Sequence, residues 1–533
     1  MIDSNKQFDA IIIGGGHNGL VCSFYLAKAG KRVLLVEASD SVGGGCSTTQ
    51  FYDQFKVSSC AQWLYQLSPK VASDLKLTSS GLEIAAKDLS TIVLSETGDH
   101  LTITPDGLSG NQISEEDIAA YKKFSAQFRK FAKFLASAFD RRPPKLIEGN
   151  LTDRITALKL GLGMKLMGKA DMRDLMRLAL INIYDVMEEN FDNELLKAGI
   201  SLDAVLGTHM GPRSPNTVYS YLYRKTGDIF GFKGPTIPKG GMGSISNAME
   251  KSAKAAGVEI ITGKAVKKIN LDLDRVTGIT LDDGTIFKSD RVVSSADPRT
   301  THYDLIGKKN LETGIVRRVR GVRMKGNAAK LHLALKELPN FNGLTKEQMG
   351  QRLIVAPNMK YIEDAFNACK YGDFSENPAL DISIPTVHDS SMAPEGKHVM
   401  SVIVQYAPCK VNNGWEIEKS KLEAIVINKI SEYAPDIKSK IIFSELVTPE
   451  DIEHRHLNHG GHWHHGEISL DQILVMRPFP GSSQYRTVID GVFLCGAGTH
   501  PGGGVMGLAG YNAVSYTHLR AHETSLHIVC RRL

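Results

Sequence analysis

Three glycines near the start of the chain have the spacing of a loop that binds a dinucleotide. Gly14, Gly16 and Gly19 form a G-x-G-x-x-G pattern. The first glycine permits a tight turn, the second lets the backbone approach a pyrophosphate, and the third allows a helix to pack closely on a strand. Glu37 follows at close to the spacing of about 20 residues at which a carboxylate accepts a hydrogen bond from a ribose 2′-hydroxyl. These residues predict a site for a dinucleotide that carries no 2′-phosphate.

Two further glycine clusters favour FAD over NAD. The glycines at 43–45 follow Glu37 closely, and they let a second backbone stretch close over the same ligand. The pattern Gly502-x-Gly504-x-x-Gly507 has the formal spacing of a separate NAD site. However, His500-Pro501 before it does not suit a tight turn from strand to helix, and no acidic partner follows. We therefore expect this cluster to hold the flavin end of one FAD.

The hydrophobic pattern predicts the elements that position these loops. Residues 10–13 are an apolar run typical of a buried parallel strand, and residues 20–29 continue as a helix. Residues 32–36 predict the next strand, which ends at Glu37. Sequence of this α/β type returns at 240–298 and again near 491–507. The predicted fold class is therefore α/β, with a discontinuous nucleotide-binding domain.

The expected domain boundaries follow from these changes in character. The FAD-binding domain takes residues 1–75, 236–300 and 466–513. A helical and mixed substrate domain takes residues 76–235 and 301–465, inserted in two pieces. Residues 514–533 resemble a translated sequencing adapter, and we expect them to form a non-native tail that packs poorly.

Composition and charge exclude several classes of protein. The 533 residues carry 63 Lys and Arg against 58 Asp and Glu, a net charge of only +5, so a dedicated nucleic-acid binder is not expected. The 7 cysteines form no C-x-x-C pair, which argues against a disulfide framework or a thiol redox site. The sequence shows no apolar run long enough to span a membrane and no signal peptide. The expected location is the cytoplasm.

A single histidine and a cluster of six histidines are candidates for chemistry. His500 lies beside the predicted flavin site, where it could tune the flavin or protonate a substrate, although we favour a hydrogen-bonded structural histidine. Six more lie close together at His454, His456, His459, His462, His464 and His465. Their spacing fits no closed metal site, so we expect no metal here. A loop that lines the substrate entrance is the interpretation we favour.

One segment combines basic and apolar residues. Basic side chains alternate with leucines and methionines over residues 154–178, at Arg154, Lys159, Lys165, Lys169, Arg173 and Arg177. This pattern is found on helices that lie on an anionic membrane surface, and also on a solvated face that covers an apolar core. Both interpretations stay open, and peripheral membrane contact is one expectation.

Three blocks of sequence carry a resemblance to a known family. They are residues 10–38, residues 238–243 with 293–298, and residues 466–481 with 495–513. Together they resemble the phytoene desaturase and carotenoid isomerase-like FAD-dependent oxidoreductases. The resemblance implies a Rossmann-like FAD-binding domain of the glutathione reductase and amine oxidase type, with an inserted α+β substrate domain. It implies FAD contacts at Gly14, Gly16, Asn18, Gly19, Glu37, Ala38, Gly43, Gly44, Gly45, Val266, Gly496, Gly504, Val505 and Met506.

The resemblance also implies an activity. It is that of an FAD-dependent oxidoreductase of the desaturase or isomerase type, acting on a long, apolar, polyprenoid-like substrate with an electron acceptor that the sequence does not identify. Two alternatives stay open. A flavin amine oxidase would need an aromatic cage around an amine. A non-catalytic prenyl-binding or lipid-binding protein of the same fold would have lost its flavin, and the intact glycine pattern with Glu37 argues against that loss.

Overall fold

The computed structural model describes residues 7–145 and 149–514. The strands are β1 (Ala10–Ile13), β2 (Val33–Val36), β3 (Thr48–Tyr52), β4 (Phe55–Ser58), β5 (Ile84–Ala86), β6 (Thr91–Val93), β7 (Leu101–Thr104), β8 (Gly107–Ser109), β9 (Ile237–Pro238), β10 (Glu259–Ile261), β11 (Val266–Asp272), β12 (Arg275–Leu281), β13 (Ile286–Lys288), β14 (Val292–Ser294), β15 (Ala328–Leu335), β16 (Arg352–Val355), β17 (Ala379–Ser383), β18 (His398–Gln405), β19 (Ile441–Val447) and β20 (Val492–Leu494). The helices are α1 (His17–Lys28), α2 (Pro69–Asp74), α3 (Glu115–Phe139), α4 (Leu151–Leu166), α5 (Lys169–Leu178), α6 (Ile183–Asn190), α7 (Glu194–Val205), α8 (Thr217–Phe230), α9 (Gly243–Ala255), α10 (Thr313–Gly321), α11 (Met359–Lys370), α12 (Trp415–Tyr433), α13 (Ile437–Lys440) and α14 (Pro449–His456). A last helix runs from residue 508 to residue 514.

The first glycine pattern lies at the edge of a five-stranded parallel sheet. Its strand order is β10-β2-β1-β14-β20, so the start, the middle and the end of the chain all contribute strands. Ile13 at the end of β1 pairs with Val36 on β2 and with Ser294 on β14. Every residue of β1 and β2 is buried, as is typical of parallel strands that are covered on both faces. The α/β fold is confirmed, whereas the exact domain boundaries stay a prediction.

A second large sheet is mixed and has eight strands, in the order β19-β15-β18-β17-β16-β6-β7-β8. Its strands β15 and β17 are buried throughout. Helix α12 covers one face through Leu422, Val426 and Ile430, which recur at helical spacing. This sheet supplies part of the cavity wall described below, through Ile403 on β18.

The predicted helical insertion forms helices α3 to α8. The hydroxyl of Ser114 caps α3 by accepting a backbone hydrogen bond at 3.0 Å. Phe124 and Phe128 recur at helical spacing on the buried face of α3. Helix α8 packs on that face, with the rings of Phe128 and Tyr221 5.4 Å apart. The aromatic spacing in the sequence therefore marks the core of this helical layer.

The described residues include only the first residue of the expected non-native tail. Val514, which we assigned to that tail, is buried at the end of the last helix. The rest of the tail, residues 515–533, lies outside the described residues, as does any test of its packing. Within residues 7–145 and 149–514, no helix is both long and apolar enough to cross a membrane.

Candidate active site

A cavity of about 340 Å³ opens at the carboxyl edge of the parallel sheet. Residues from the ends of β1 and β2 line it, together with the first turn of α1. Ligands of open α/β sheets bind at this edge because the loops and helix N-termini meet there. The N-terminus of α1 also presents unpaired backbone N–H groups and the positive end of a helix dipole, which favour a phosphate.

The first glycine loop is shaped by close backbone contacts. A Cβ on Gly19 would lie 2.1 Å from the carbonyl oxygen of Gly14, so only glycine lets α1 approach β1 this closely. Gly16 is different, because a Cβ there would meet only the Ser295 hydroxyl, at 3.8 Å. The backbone of Gly16 therefore faces open cavity, where a pyrophosphate could approach it.

The second glycine loop lies directly against the first. The backbone N–H of Gly43 donates a hydrogen bond to the carbonyl of Gly15 at 2.9 Å. A Cβ on Gly44 would meet the Cα of Gly16 at 3.6 Å, and the φ of Gly44 is +53°. Two loops without side chains thus form one cradle, as the sequence predicted, and this shape fits the phosphate and ribityl part of FAD.

Glu37 occupies the end of β2 beside this cradle. One carboxylate oxygen accepts a hydrogen bond from the Gly15 N–H at 2.6 Å, and the other accepts one from the Ser39 N–H at 2.8 Å. These bonds hold the buried carboxylate in a single orientation on the cavity wall. Each oxygen keeps a lone pair, so the group can accept the hydrogen bonds of a ribose.

The structure brings most of the predicted FAD-binding residues to one cavity. The predicted residues that line it are Gly14, Gly16, Asn18, Glu37, Ala38, Gly43, Gly44, Gly45, Val266, Gly504 and Val505. The other three, Gly19, Gly496 and Met506, do not line it. A Cβ on Gly496 would lie 2.3 Å from the carbonyl oxygen of Ser295, and the Met506 carbonyl accepts the Ser68 N–H at 3.2 Å. These three residues contact neighbouring backbone segments instead of the cavity.

His500 does not line the cavity. It is buried, and its Nε2 donates a hydrogen bond to the Ala138 carbonyl at 3.0 Å. Burial lowers the pKa of His500 to about 4, so the imidazole is neutral near pH 7. This geometry fits the structural interpretation, and a catalytic role for His500 finds no support in it.

Other histidines do border the cavity. His456 at the end of α14, and His464 and His465 after it, come from the histidine-rich segment that we expected to be a loop, and burial is the main cause that lowers the pKa of each. His17, within the first glycine pattern, was not among our candidates. Its Nε2 has no hydrogen-bond partner among the described residues, and burial lowers its pKa to about 4. In the described part of the chain, no group of three or more His, Cys, Asp or Glu could hold a metal.

Two thiols also border the cavity. Cys46 and Cys60 are free and buried. Burial raises the pKa of Cys46 to about 12 and that of Cys60 to about 11, so both stay protonated near neutral pH. The Cys46 thiol donates to the Met242 carbonyl at 3.3 Å. A protonated thiol is a poor nucleophile, and these groups are therefore not suited to thiol-disulfide exchange.

Away from the glycine loops, a cluster of four charges lies at the cavity wall, with Asp203 and Arg224 half-buried on the wall and Arg352 and Asp381 buried next to them. Arg352 Nη1 lies 2.7 Å from Asp203, and its Nη2 lies 2.8 Å from Asp381. Arg224 Nε lies 3.3 Å from the same oxygen of Asp203. Burial raises the pKa of Asp203, but the charges of Arg224 and Arg352 outweigh burial and lower it. Two cations and two anions therefore form a set with no net charge.

Sequence reasoning did not find this charged cluster, because its members lie far apart along the chain. Arg224 also stacks on the Tyr65 ring, with 3.9 Å between the guanidinium carbon and the ring centre. Arg224 Nη2 and Tyr65 Oη are buried without a hydrogen-bond partner in the described structure, whereas Arg224 Nε lies in the ion pair with Asp203. Unsatisfied donors on a cavity wall are costly unless a ligand or water supplies an acceptor.

Lys330 on β15 is a second buried cation that the sequence analysis missed. Its Nζ donates to the Ser58 carbonyl at 2.9 Å. Burial lowers its pKa from 10.5 to about 8. Unfolded protein keeps this proton to higher pH, so the contribution of Lys330 to the free energy of unfolding should rise between about pH 8 and pH 10, opposite in sign to that of the two thiols. The shift corresponds to about 3 kcal/mol.

Urea unfolding across this pH range tests the assignment. We expect Lys330→Met to lose this contribution, so the stability of the parent chain relative to Lys330→Met should increase from about pH 8 to pH 10. Lys336→Met, on an exposed lysine just beyond the same strand, should keep the contribution of Lys330. An identical pH dependence in the parent chain and in Lys330→Met would contradict the lowered pKa.

The fold and the site together define the class of protein to which the chain belongs. A parallel sheet, a helix N-terminus facing a glycine cradle and a fixed carboxylate are the binding elements of an FAD-dependent oxidoreductase. The chain belongs to the family of flavin containing amine oxidoreductases, whose model matches residues 19–509.

Known proteins resemble the chain over most of its length. The mouse pyridine nucleotide-disulfide oxidoreductase domain-containing protein 2 is 31% identical over 95% of this chain and 92% of its own length. A lycopene-forming phytoene desaturase from a Paracoccus species is 24% identical over 94% of this chain and 95% of its own. A solved variant of putrescine oxidase matches with a TM-score of 0.63 at 14% identity, over 98% of this chain and 99% of that one. The family resemblance in the sequence is confirmed, and the last likeness concerns the fold alone.

Proposed function

We propose that the chain catalyses the FAD-dependent desaturation or isomerisation of a long, mainly apolar substrate that ends in a polar, hydrogen-bond-accepting group. FAD, when bound, supplies the hydride acceptor. The chain supplies a largely apolar wall and a polar anchor. The observation that carries the proposal is the neutral charge cluster, because its unpaired donors favour a substrate end that accepts hydrogen bonds.

Apolar and aromatic side chains form much of the cavity wall beyond the glycine loops. They include Ala204, Leu206, Ile403, Ile468, Trp63 and Trp463. Such a wall buries hydrocarbon favourably and excludes water from the reacting carbon atoms. The relative named as a phytoene desaturase supports a substrate of this kind.

The charges of the wall argue against an amine substrate. Asp203 and Glu37 are the acidic residues among the described ones that line the cavity. Glu37 is held at the glycine cradle, and Asp203 is already paired with two guanidinium groups. Arg224 itself covers the Tyr65 ring, so the protein's own cation takes the place an ammonium would take on that ring. This argues against the amine oxidase alternative.

The same cluster favours an acceptor at the end of the substrate. Arg224 and Tyr65 both line the cavity and have donors without partners. A carboxylate or hydroxyl oxygen would satisfy them, and a hydrogen bond to a charged donor contributes about 1.5–3 kcal/mol. Arg224 is thus proposed to anchor the substrate, while the apolar wall orients its carbon chain.

Three isoprenoids with one carbon skeleton test this proposal. Geranylgeranoic acid, geranylgeraniol and geranylgeranylamine are each titrated into the FAD-loaded protein while the flavin absorption bands are followed. We expect the acid to bind most tightly and the amine to produce no change. Anaerobic bleaching of the flavin by the acid or the alcohol would mark oxidation of the substrate.

A matched pair of variants isolates the anchor. Arg224→Met should weaken binding of the acid by about tenfold or more, which corresponds to about 1.4 kcal/mol. Arg213→Met should leave binding unchanged, because Arg213 stacks on Tyr184 in the same manner but does not line the cavity. Tight binding of the amine would favour an amine oxidase. No change of the flavin absorption bands with any of the three compounds would show that the proposed substrate class is wrong.

A further inference from the structure

Helix α4 carries an apolar stripe on its outer side. Its members are Leu151, Ile155, Leu158, Leu162 and Leu166, each between 43% and 77% exposed. They recur at intervals of three and four residues and therefore lie on one face of the helix. Exposed leucines at single positions are ordinary, but a continuous row of five marks a surface that contacts an apolar partner.

The helix is held by its opposite side. Asp153 is buried, pairs with Arg142 at 2.7 Å and forms a capping box with Asn150. Gly163 faces the ring of Phe134 on α3, which a Cβ would meet at 3.4 Å. The stripe is thus exposed on a helix that is held to the protein by Asp153 and Gly163. The five residues of the stripe do not cover an apolar core, whereas Met164, Leu175 and Leu178 of the same segment do pack on one.

Cations border the stripe on both edges. At 3.6 residues per turn, Arg154 and Lys165 lie on one edge and Lys159 on the other. Lys169 and Arg173 follow on helix α5. Among the described residues, no carboxylate lies within 4.0 Å of any of these five charged groups. The nearby carboxylate of Asp171 on α5 does not neutralise them, because it is paired with Lys130 on α3.

We propose that this face, the α4 stripe with its flanking cations, docks on the surface of an anionic lipid bilayer. Leucines would enter the boundary between headgroups and acyl chains, while the long lysine and arginine side chains reach back to the phosphates. A second copy of this chain fits the face poorly, because a two-fold contact would bring the cationic edges together. The proposal does not depend on the substrate or on FAD.

Sedimentation of the full chain with lipid vesicles tests this proposal. We expect binding to vesicles of phosphatidylcholine with phosphatidylglycerol, and weak binding to vesicles of phosphatidylcholine alone. Added salt should release the protein because it screens the attraction between the cations and the lipid phosphates. Flavin content and the thermal unfolding midpoint are recorded for every variant to confirm that it is folded.

Two double variants and two controls separate the contributions. The pair Leu158→Ser and Leu162→Ser, and the pair Lys159→Glu and Lys165→Glu, should each lower the partition coefficient by about tenfold or more. Leu273→Ser and Ile417→Ser change exposed apolar side chains elsewhere and should have no effect.

Three results would overturn the proposal. The first is no binding of the full chain to either kind of vesicle. The second is equal binding to both kinds, unchanged in the lysine variant. The third is a dimer in solution that Leu158→Ser abolishes, which would show that a second copy covers the stripe.

Discussion

Replacing Glu37 by lysine is expected to leave a folded protein that no longer retains FAD. The carboxylate lies on the cavity wall and is held by the N–H groups of Gly15 and Ser39. A lysine there would replace the acceptor of the ribose hydroxyls by a cation that can only donate. Because a hydrogen bond to a charged group contributes about 1.5–3 kcal/mol, losing two should weaken FAD binding by a factor of about 100 or more.

Heat release of the flavin measures this effect. The purified protein is heated, and the flavin in the supernatant is quantified against the protein. Asp40→Lys is the matched control, because it makes the same change of charge three residues away on an exposed side chain. Glu37→Gln keeps one acceptor oxygen and should fall between the two. A Glu37→Lys protein with full flavin content would contradict the role of Glu37 at the ribose.

Replacing Arg352 by methionine is expected to cost about 3–5 kcal/mol of the free energy of unfolding. Arg352 is only 1% exposed and lies between the carboxylates of Asp203 and Asp381. Without the guanidinium, the buried carboxylate of Asp381 would lose its ion pair, while Asp203 would keep Arg224. An unpaired charge in a buried site has a large desolvation cost, and this cost makes the effect large.

A double variant separates the loss of charge from the loss of packing. Adding Asp381→Asn to Arg352→Met restores charge balance, because Asp203 and Arg224 remain as a pair. The asparagine oxygen can still accept from the Trp63 indole, which donates to Asp381 at 2.9 Å. Urea unfolding of both variants should show that the double variant is more stable than Arg352→Met. A cost below about 1 kcal/mol for the single variant, or two changes that simply add, would contradict the proposed coupling.

Local sequence determined the nucleotide-binding half of the site. The glycine spacing, the apolar strands around it and the acidic residue at the end of β2 all lie within a short stretch of chain, so their geometry follows from one strand-turn-helix-strand unit. The second glycine loop was also predictable, because it follows Glu37 closely and must lie near the same ligand. The structure places these parts against one another through the Gly43 to Gly15 hydrogen bond.

Tertiary structure alone decided the substrate end of the cavity. Asp203, Arg224, Arg352 and Asp381 belong to four different elements or loops, and no spacing in the sequence relates them. They meet only because α7, α8 and the eight-stranded sheet pack together. The position of His500 was also decided by tertiary structure. Its place in the sequence led us to expect it beside the flavin, but the fold directs its imidazole to the Ala138 carbonyl.

The outer face of α4 shows the same division. Its sequence determined an amphipathic helix with basic residues among leucines, because helical periodicity is a local property. Periodicity states that one face is apolar but not which way that face points. The direction was decided by the packing of Asp153 and Gly163 against the protein body. These long-range contacts lie away from the leucines, which are left largely exposed.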